Sequence, residues 1–295
     1  METYKIKMPY YINQNSYYIN ELNQSMHRAL EKVKENDRII LDFTNTEWFN
    51  AELTVLLSDY IETFHEKNIH VEVSGLKKAI EIILRKNHFF TYYQVFESLP
   101  DKYNTTISFT IHNFNDIEKI DDYIQDSLFT SLSKTINNDF VQYIKENLFE
   151  VIHNIRDHSN SNKVFMCGQF YPNKDRLTFA ISDIGIGLSK KIKESNKHIK
   201  TNEDAILWSF EKGNSTKESL DAGLGLYELH SRLRNKGSLI ILTENAFFKL
   251  NKNGQYDFVE LEDSLIGTVI IINFNINDCL QANSFAIINN ENLEW

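Results

Sequence analysis

Three polar residues recur at helical spacing within one largely apolar stretch of the chain. Glu150, Asn154 and His158 follow one another at intervals of four residues, so in a helix they would share one face. A carboxylate there can take a proton from a water molecule, and an amide oxygen can coordinate a hard cation such as Mg²⁺. The same row also fits a polar face that contacts only solvent, so this helix alone leaves both interpretations open.

A second candidate feature begins at Asp183, which ends a predicted strand and is followed by Gly185 and Gly187. Glycine lets the backbone approach a flat ligand closely, and the carboxylate can accept a hydrogen bond from that ligand. An ordinary turn is the alternative, because this short pattern matches many loops.

A third feature joins hydroxyl and lysine side chains to a glycine pair that opens a predicted helix. Helix N-termini carry unpaired N–H groups and partial positive charge, so they bind phosphate groups. The segment matches neither the Walker A loop nor the dinucleotide-binding glycine pattern, and a mobile polar loop is the alternative. Its candidate residues are Ser215, Thr216, Lys217, Gly223, Leu224, Gly225 and Leu226. The pair Gly267-Thr268, which opens the last predicted strand, means little by itself.

The composition indicates where in the chain a ligand site lies and which class of partner is excluded. The chain has ten glycines in 295 residues, and only Gly75 lies in the first half, so a glycine-built site belongs in the second half. A formal net charge of −10 makes the surface a poor partner for the phosphate backbone of nucleic acids. We therefore expect no nucleic-acid partner.

The apolar pattern also bears on location in the cell. No apolar run approaches the ~20 residues that a membrane-spanning helix needs, and no basic-then-apolar leader begins the chain. Cys167 and Cys279 lack the spacing of metal ligands. We expect a cytoplasmic protein with reduced cysteines and no membrane contact.

The elements that must position the candidate residues change character near residue 100. Before that point, strand patterns at 38–43 and 70–73 alternate with helical patterns at 53–64 and 79–84. Alternating strands and helices are typical of a layered α/β domain with a parallel sheet.

The second half is predicted to be α+β with a largely antiparallel sheet. Strands at 164–170 and 176–182 flank a Pro172-Asn173 turn, which predicts a hairpin. A further strand is predicted at 105–112. Later strands are predicted at 238–242, 247–250 and 268–274, and helices at 140–155, 204–210 and 224–234.

In their order and spacing, the four motifs together resemble the ATP-binding domain of the GHKL, or Bergerat-fold, superfamily. Its members include DNA gyrase, heat-shock chaperones, sensor histidine kinases and mismatch-repair proteins. The motifs are Glu150-x3-Asn154, Asp183-Ile-Gly185-Ile-Gly187, Ser215-Thr216-Lys217 before Gly223-Leu224-Gly225-Leu226, and Gly267-Thr268. The resemblance covers about residues 105–275, and the segment 214–227 is most similar to the sensor-kinase branch.

The resemblance implies ATP and Mg²⁺ as ligands and a role for each residue. Asn154 would ligate Mg²⁺, and Glu150 would be the general base or the residue that polarises the attacking group. Asp183 would accept from the adenine amino group, with Gly185 and Gly187 shaping the pocket beneath the base. The lid over the phosphates would contain Ser215, Thr216 and Lys217, and it would end at Gly223, Leu224, Gly225 and Leu226. Thr268 would lie beside adenine, and the role of His158 is less defined.

The stretch 38–90 is similar to the STAS domain of anti-sigma factor antagonists. The similarity lies in Ile39-Ile40-Leu41-Asp42-Phe43, the long helix at 53–64 and the strand at 71–73. Such antagonists carry a phosphorylatable serine just before the long helix, where this chain has Phe49-Asn50-Ala51. The resemblance thus implies a docking module that has lost this switch.

The predicted organisation is an α/β STAS-like domain followed by an α+β Bergerat-fold domain, whose antiparallel or mixed sheet is covered by helices. Their boundaries are 1–100 for the STAS-like domain, 101–115 for a linker and first strand, 116–275 for the GHKL ATP-binding domain, and 276–295 for an unassigned tail.

Three functions follow as expectations from the two resemblances. The first is a slow Mg²⁺-dependent ATPase that acts as a nucleotide-driven regulatory or signalling switch. The second is a serine or histidine protein kinase acting on a separate partner, since no phospho-accepting histidine segment occurs in the chain. The third is an ATP-responsive docking module without turnover. A protein partner on the first domain, and possible pairing of two copies, would accompany each.

Overall fold

The computed structural model describes residues 2–132, 138–214 and 225–280. Its first half alternates strands and helices, as the apolar pattern predicts. The elements are β1 (Thr3–Lys7), β2 (Tyr11–Ile12), α1 (Ser16–Lys32), β3 (Arg38–Asp42), β4 (Trp48–Phe49), α2 (Thr54–Glu66), β5 (His70–Ser74), α3 (Lys78–Lys86) and α4 (Phe89–Tyr92). Strands β1, β3 and β5 form a parallel sheet in the order β1-β3-β5, and β2 pairs with β4.

The second half is built on one large sheet. Its elements are β6 (Thr106–Asn113), α5 (Ile117–Leu132), α6 (Asn138–His158), β7 (Lys163–Tyr171), β8 (Arg176–Asp183), α7 (Leu188–Ser195), α8 (Asn202–Ser209), α9 (Gly225–Leu233), β9 (Gly237–Thr243), β10 (Ala246–Leu250), β11 (Tyr256–Glu260) and β12 (Thr268–Asn275). Seven strands run in the order β11-β10-β9-β12-β8-β7-β6, and every neighbouring pair is antiparallel. The mixed α/β class and the antiparallel sheet are confirmed.

Helices cover one face of the seven-stranded sheet. Apolar residues of α5, α6, α8 and α9 pack there against alternate residues of the strands, such as Met166, Phe179 and Ile270. Because successive side chains of a strand point to opposite faces, the intervening residues face the other way. The helices that carry the candidate residues thus lie over the centre of the sheet.

The first half of the chain covers the opposite face. Helix α2 lies between the two sheets, in contact with β5 on one side and with β7 and β8 on the other. Phe165 and Cys167 of β7 and Ala180 of β8 belong to the same buried cluster as the core of the first half. The central strands of the large sheet are therefore buried on both faces, which strands of antiparallel sheets often are not.

Polar contacts between the halves accompany the apolar ones. Lys163 at the start of β7 pairs with Glu62 of α2 at 2.9 Å. The side chain of Asn23 in α1 donates to the carbonyl of Asp263 at 2.5 Å, and Asn20 accepts from the N–H of Glu262 at 3.0 Å. Residues on either side of position 100 thus share one continuous interior.

Two elements of the second half differ from the sequence-based expectation. Helix α7 and strand β11 were not predicted, and β11 is an edge strand whose residues are mostly exposed. Without a buried face it has no apolar alternation to detect. Within the described ranges, no helix combines the length and apolar character that crossing a bilayer requires. Of the expected tail, 281–295 lie outside the described residues.

Candidate functional site

Asp183 and Thr268 lie side by side at one end of the large sheet. Asp183 is the last residue of β8, Thr268 is the first of β12, and the antiparallel register pairs them directly. Both side chains are buried, with Asp183 wholly removed from solvent. The two residues that the sequence places 85 positions apart therefore meet at one point.

The loop after Asp183 is held close to the end of α6. The N–H of Ile186 donates to the carbonyl of Ser159 at 2.8 Å, and a Cβ added to Gly185 would lie 1.9 Å from that same carbonyl oxygen. Gly187 has φ +86° and Gly267 has φ +61°, a region that residues with a Cβ rarely adopt. Glycine is thus required here for close backbone packing.

The carboxyl group of Asp183 is only half satisfied. Its Oδ1 accepts from the N–H of Gly185 at 2.6 Å, whereas Oδ2 has no hydrogen-bond partner among the described residues. Burial raises the pKa of Asp183 to about 7, although nearby N–H groups of Gly185 and Thr268 and the hydroxyl of Ser159 favour the charged form. A buried acceptor without a donor costs free energy in the protein alone.

A small cavity of about 20 Å³ lies beside this carboxyl group, between α6, α7, α9 and the sheet. Four of its lining residues are among the predicted ones, namely Asn154, Asp183, Leu226 and Thr268. Sequence reasoning missed the other four, which are Ile155, Ser159, Leu188 and Ile270. The lining is apolar with one unsatisfied acceptor, a chemistry that matches the edge of a flat ligand that carries a hydrogen-bond donor.

Glu150 and Asn154 contact each other on the face of α6 that leads to the cavity. The amide nitrogen of Asn154 donates to the carbonyl of Glu150 at 2.8 Å and to its Oε1 at 3.3 Å. The amide oxygen of Asn154 is thereby left as the atom that can ligate a cation. Partial burial raises the pKa of Glu150, and Glu228 adds to this, while Asn154 and Arg232 oppose it.

Ionic contacts fix α9 against α6. The guanidinium of Arg232 binds Glu146 of α6 at 3.0 Å and Glu228 of α9 at 3.2 Å. The hydroxyl of Tyr143 donates to the carbonyl of Arg232 at 2.6 Å. These contacts place the first turn of α9, including Leu226, at the cavity.

Thr268 has a structural role that the sequence did not reveal. Its hydroxyl accepts from the N–H of Leu188 at 2.9 Å, and Thr243 of β9 accepts from the N–H of Ser189 at 3.4 Å. Gly187 offers no side chain to cap α7, so these two threonines satisfy its first N–H groups. The signal in the sequence is that the two threonines stand at the ends of apolar strands, with Thr243 last in β9 and Thr268 first in β12.

Several predicted residues lie outside what the structure describes. Ser215, Thr216, Lys217, Gly223 and Leu224 are outside the described residues, and so is the side chain of His158. Gly225 is described as the first residue of α9.

Among the described lysines near the cavity, Lys193 of α7 is already engaged. It contacts Glu244 and Asn202, each at 2.6 Å. Lys193 is therefore a poor candidate for binding phosphate.

The described residues contain no group of three or more histidine, cysteine, aspartate or glutamate side chains that could hold a metal ion. A cation at this site would therefore need ligands from a bound molecule and water besides Asn154, which is how proteins commonly hold Mg²⁺ on nucleotides.

No family model and no curated protein matches this chain.

Proposed function

We propose that the chain binds ATP with Mg²⁺ in this cavity and hydrolyses it slowly as a regulatory switch. The observation that carries the proposal is the buried Asp183, whose Oδ2 has no hydrogen-bond partner within the described residues. The amino group of adenine is a donor of the required kind. Its hydrogen bond to the carboxylate would remove the cost of leaving that oxygen unsatisfied.

The other lining residues fit the remaining parts of this ligand. Ile155, Leu188 and Ile270 provide apolar contacts for the faces of a purine. Asn154 would hold Mg²⁺ through its amide oxygen, and the ion would neutralise phosphate charge. The start of α9 lies at the cavity and carries the partial positive charge that favours phosphate.

Glu150 fits the role of general base. As the oxygen of a water molecule bonds to the γ-phosphorus, the bond to the β–γ bridging oxygen breaks and its electron pair leaves with ADP. The water proton passes to the carboxylate of Glu150, whose raised pKa increases its ability to take it. The Asn154 amide orients this carboxylate by its bond to Oε1.

Calorimetry on the full chain tests ATP binding directly. We expect ATP and ADP to bind in the presence of Mg²⁺, and ATP to bind more weakly when the ion is removed by a chelator. The dependence on the ion follows because the phosphate charges are otherwise uncompensated beside Glu150. Absence of heat with either nucleotide, at protein concentrations that would detect a millimolar affinity, would overturn the proposal.

Replacing Glu150 by glutamine is expected to abolish ATP hydrolysis while leaving ATP affinity within about threefold. The amide keeps the size of the side chain but cannot accept the water proton, and general-base catalysis is worth about 10²–10⁴-fold. Phosphate release measures turnover, and calorimetry measures affinity. Glu194→Gln, an exposed residue of α7, is the matched control and should keep turnover.

Hydrolysis by Glu150→Gln at the wild-type rate would remove this role from Glu150. Transfer of labelled phosphate from ATP to a second protein, with little release of free phosphate, would instead favour the kinase function. A protein partner that docks on the first half, or pairing of two copies, belongs to the same proposal. Binding of ATP without either reaction would favour a docking module without turnover.

A further inference from the structure

Helix α2 of the first half brings a carboxyl group to the strand that carries Asp183. Asp59 lies in the middle of α2 and is fully buried. Its Oδ1 accepts from the hydroxyl of Ser182 at 2.8 Å. Ser182 and Asp183 are adjacent in β8, so their side chains point to opposite faces of the sheet. Asp59 therefore contacts the back of the strand end from which Asp183 enters the cavity.

Burial of the Asp59 carboxyl group at this position costs folding free energy. Its Oδ2 has no hydrogen-bond partner among the described residues, and burial raises its pKa well above the usual range, with Asp183 and Glu62 adding to the effect. Glu62, on the same helix, is itself paired with Lys163 of β7. These shifts favour the neutral carboxylic acid form of Asp59 over a second negative charge behind Asp183.

A leucine would fill the same space without the cost of a buried polar group. What the carboxyl group of Asp59 supplies, and leucine would not, is an acceptor for the hydroxyl of Ser182. The bond between Asp59 and Ser182 fixes the position of the β8 backbone just before Asp183. This matters because a ligand is recognised by a hydrogen bond only if the acceptor is held to within about 0.5 Å of its required position.

We infer that Asp59 is a positioning residue of the nucleotide site, which holds the end of β8 through Ser182 so that Asp183 meets the purine amino group. The inference rests on the proposed binding of ATP. It extends that proposal by making the first half of the chain a part of the site as well as a surface for a partner. A partner that moved α2 would then change nucleotide affinity.

Two substitutions and two nucleotides test the inference on the full chain. Asp59→Leu removes the acceptor, and Asp59→Asn keeps an acceptor oxygen without a charge. ATP is compared with purine ribonucleoside triphosphate, which lacks the amino group that Asp183 would bind. We expect Asp59→Leu to weaken ATP binding about tenfold and the analogue less than twofold, because one hydrogen bond is misplaced. Asp59→Asn should bind both like the wild type.

Glu62→Gln is the matched control, since it lies one turn further along α2 and loses the Lys163 ion pair without touching β8. It should leave both affinities unchanged. Ser182→Ala removes the donor of the same hydrogen bond, so it should weaken ATP binding as Asp59→Leu does. It also keeps the inference testable if the Asp59→Leu variant does not fold.

Two results would overturn the inference while ATP binding by the wild type stands. One is unchanged ATP affinity in both Asp59→Leu and Ser182→Ala. The other is an equal loss of ATP and of the analogue, which would indicate a general disturbance of the fold. If the wild type binds neither nucleotide, the proposed function itself fails, and this inference fails with it.

Discussion

The variant Asp183→Asn is expected to bind ATP about a hundredfold more weakly than the wild type and yet to unfold at a higher temperature at pH 8. The loss of binding follows from the N–H of Gly185, which now donates to Oδ1. The amide oxygen of asparagine would take that position. Its NH₂ group would then face the amino group of adenine, so two donors would oppose each other.

The gain in stability follows from the difference in proton affinity between the folded and unfolded chain. The pKa of Asp183 is about 7 in the folded protein, against 3.8 for an ordinary aspartate. Between these values the folded state binds more protons, so stability falls as the pH rises from about 4 to about 7. Above pH 7 the buried charge costs up to ~4 kcal/mol, a cost that asparagine does not have.

Thermal unfolding of the wild type and of Asp183→Asn at pH 5 and at pH 8 measures this effect. The advantage of the variant should be large at pH 8 and small at pH 5. Asp42→Asn is the opposing control, because hydrogen bonds from Thr44 and Lys5 lower the pKa of Asp42 to about 2. That variant should lose stability at pH 7, and the loss should shrink as the pH falls toward 2. Equal behaviour of the two variants would contradict the assignment of a raised pKa to Asp183.

A fragment of residues 101–295, produced without the first half, is expected not to form a stable fold. Among the described residues, one face of its sheet is covered mainly by the first half. The residues on that face are Phe109, Phe165, Cys167, Ala180, Ile240, Leu242, Phe247, Val269 and Ile271. At about 1.5–3 kcal/mol for each large apolar side chain, their exposure costs on the order of 10–20 kcal/mol. That exceeds the net stability of most domains, about 5–15 kcal/mol.

Gel filtration and circular dichroism of the fragment, beside the full chain, test this expectation. The fragment should aggregate or lack a cooperative unfolding transition. Addition of separately produced residues 1–100 should increase the folded fraction, because it restores the missing layer. A monomeric fragment that melts cooperatively would instead show that the second half is stable alone and that the first half is an accessory to it.

Local pattern predicted most of the elements, since each depends on residues near in sequence. The apolar run at 38–43 is found as β3, and the helical pattern at 53–64 as α2. The relation between the two halves was not predicted. The structure buries every residue of α2 from Thr54 to Ile61, polar ones included. A helix buried on all sides lies between two layers, but polar residues such as Ser58 and Asp59 conceal this burial in the sequence.

Some residues of the candidate site were predicted and others were not, because only some of them belong to motifs that are local in sequence. Asn154, Asp183 and Thr268 stand in motifs with fixed spacing, and the structure brings them around one cavity. Thr243 and Asp59 act through elements distant in sequence, so no local spacing identifies them. Their signal is a polar residue in an otherwise apolar stretch, which becomes interpretable only when its partner in space is known.

The contacts between α1 and residues 262–263 bear on the order in which the chain can fold during synthesis. Asn23 binds the carbonyl of Asp263, 240 positions later, whereas β7 and β8, which contact α2, are complete about 120 positions after α2 ends. At about 5–20 residues per second, the ribosome needs roughly 6–25 s to deliver β7 and β8 and roughly 12–50 s to deliver residue 263. The nascent first half therefore exposes the sheet-facing side of α2 for the shorter of these intervals at least, during which aggregation competes with folding and a chaperone that shields apolar surface would raise the yield.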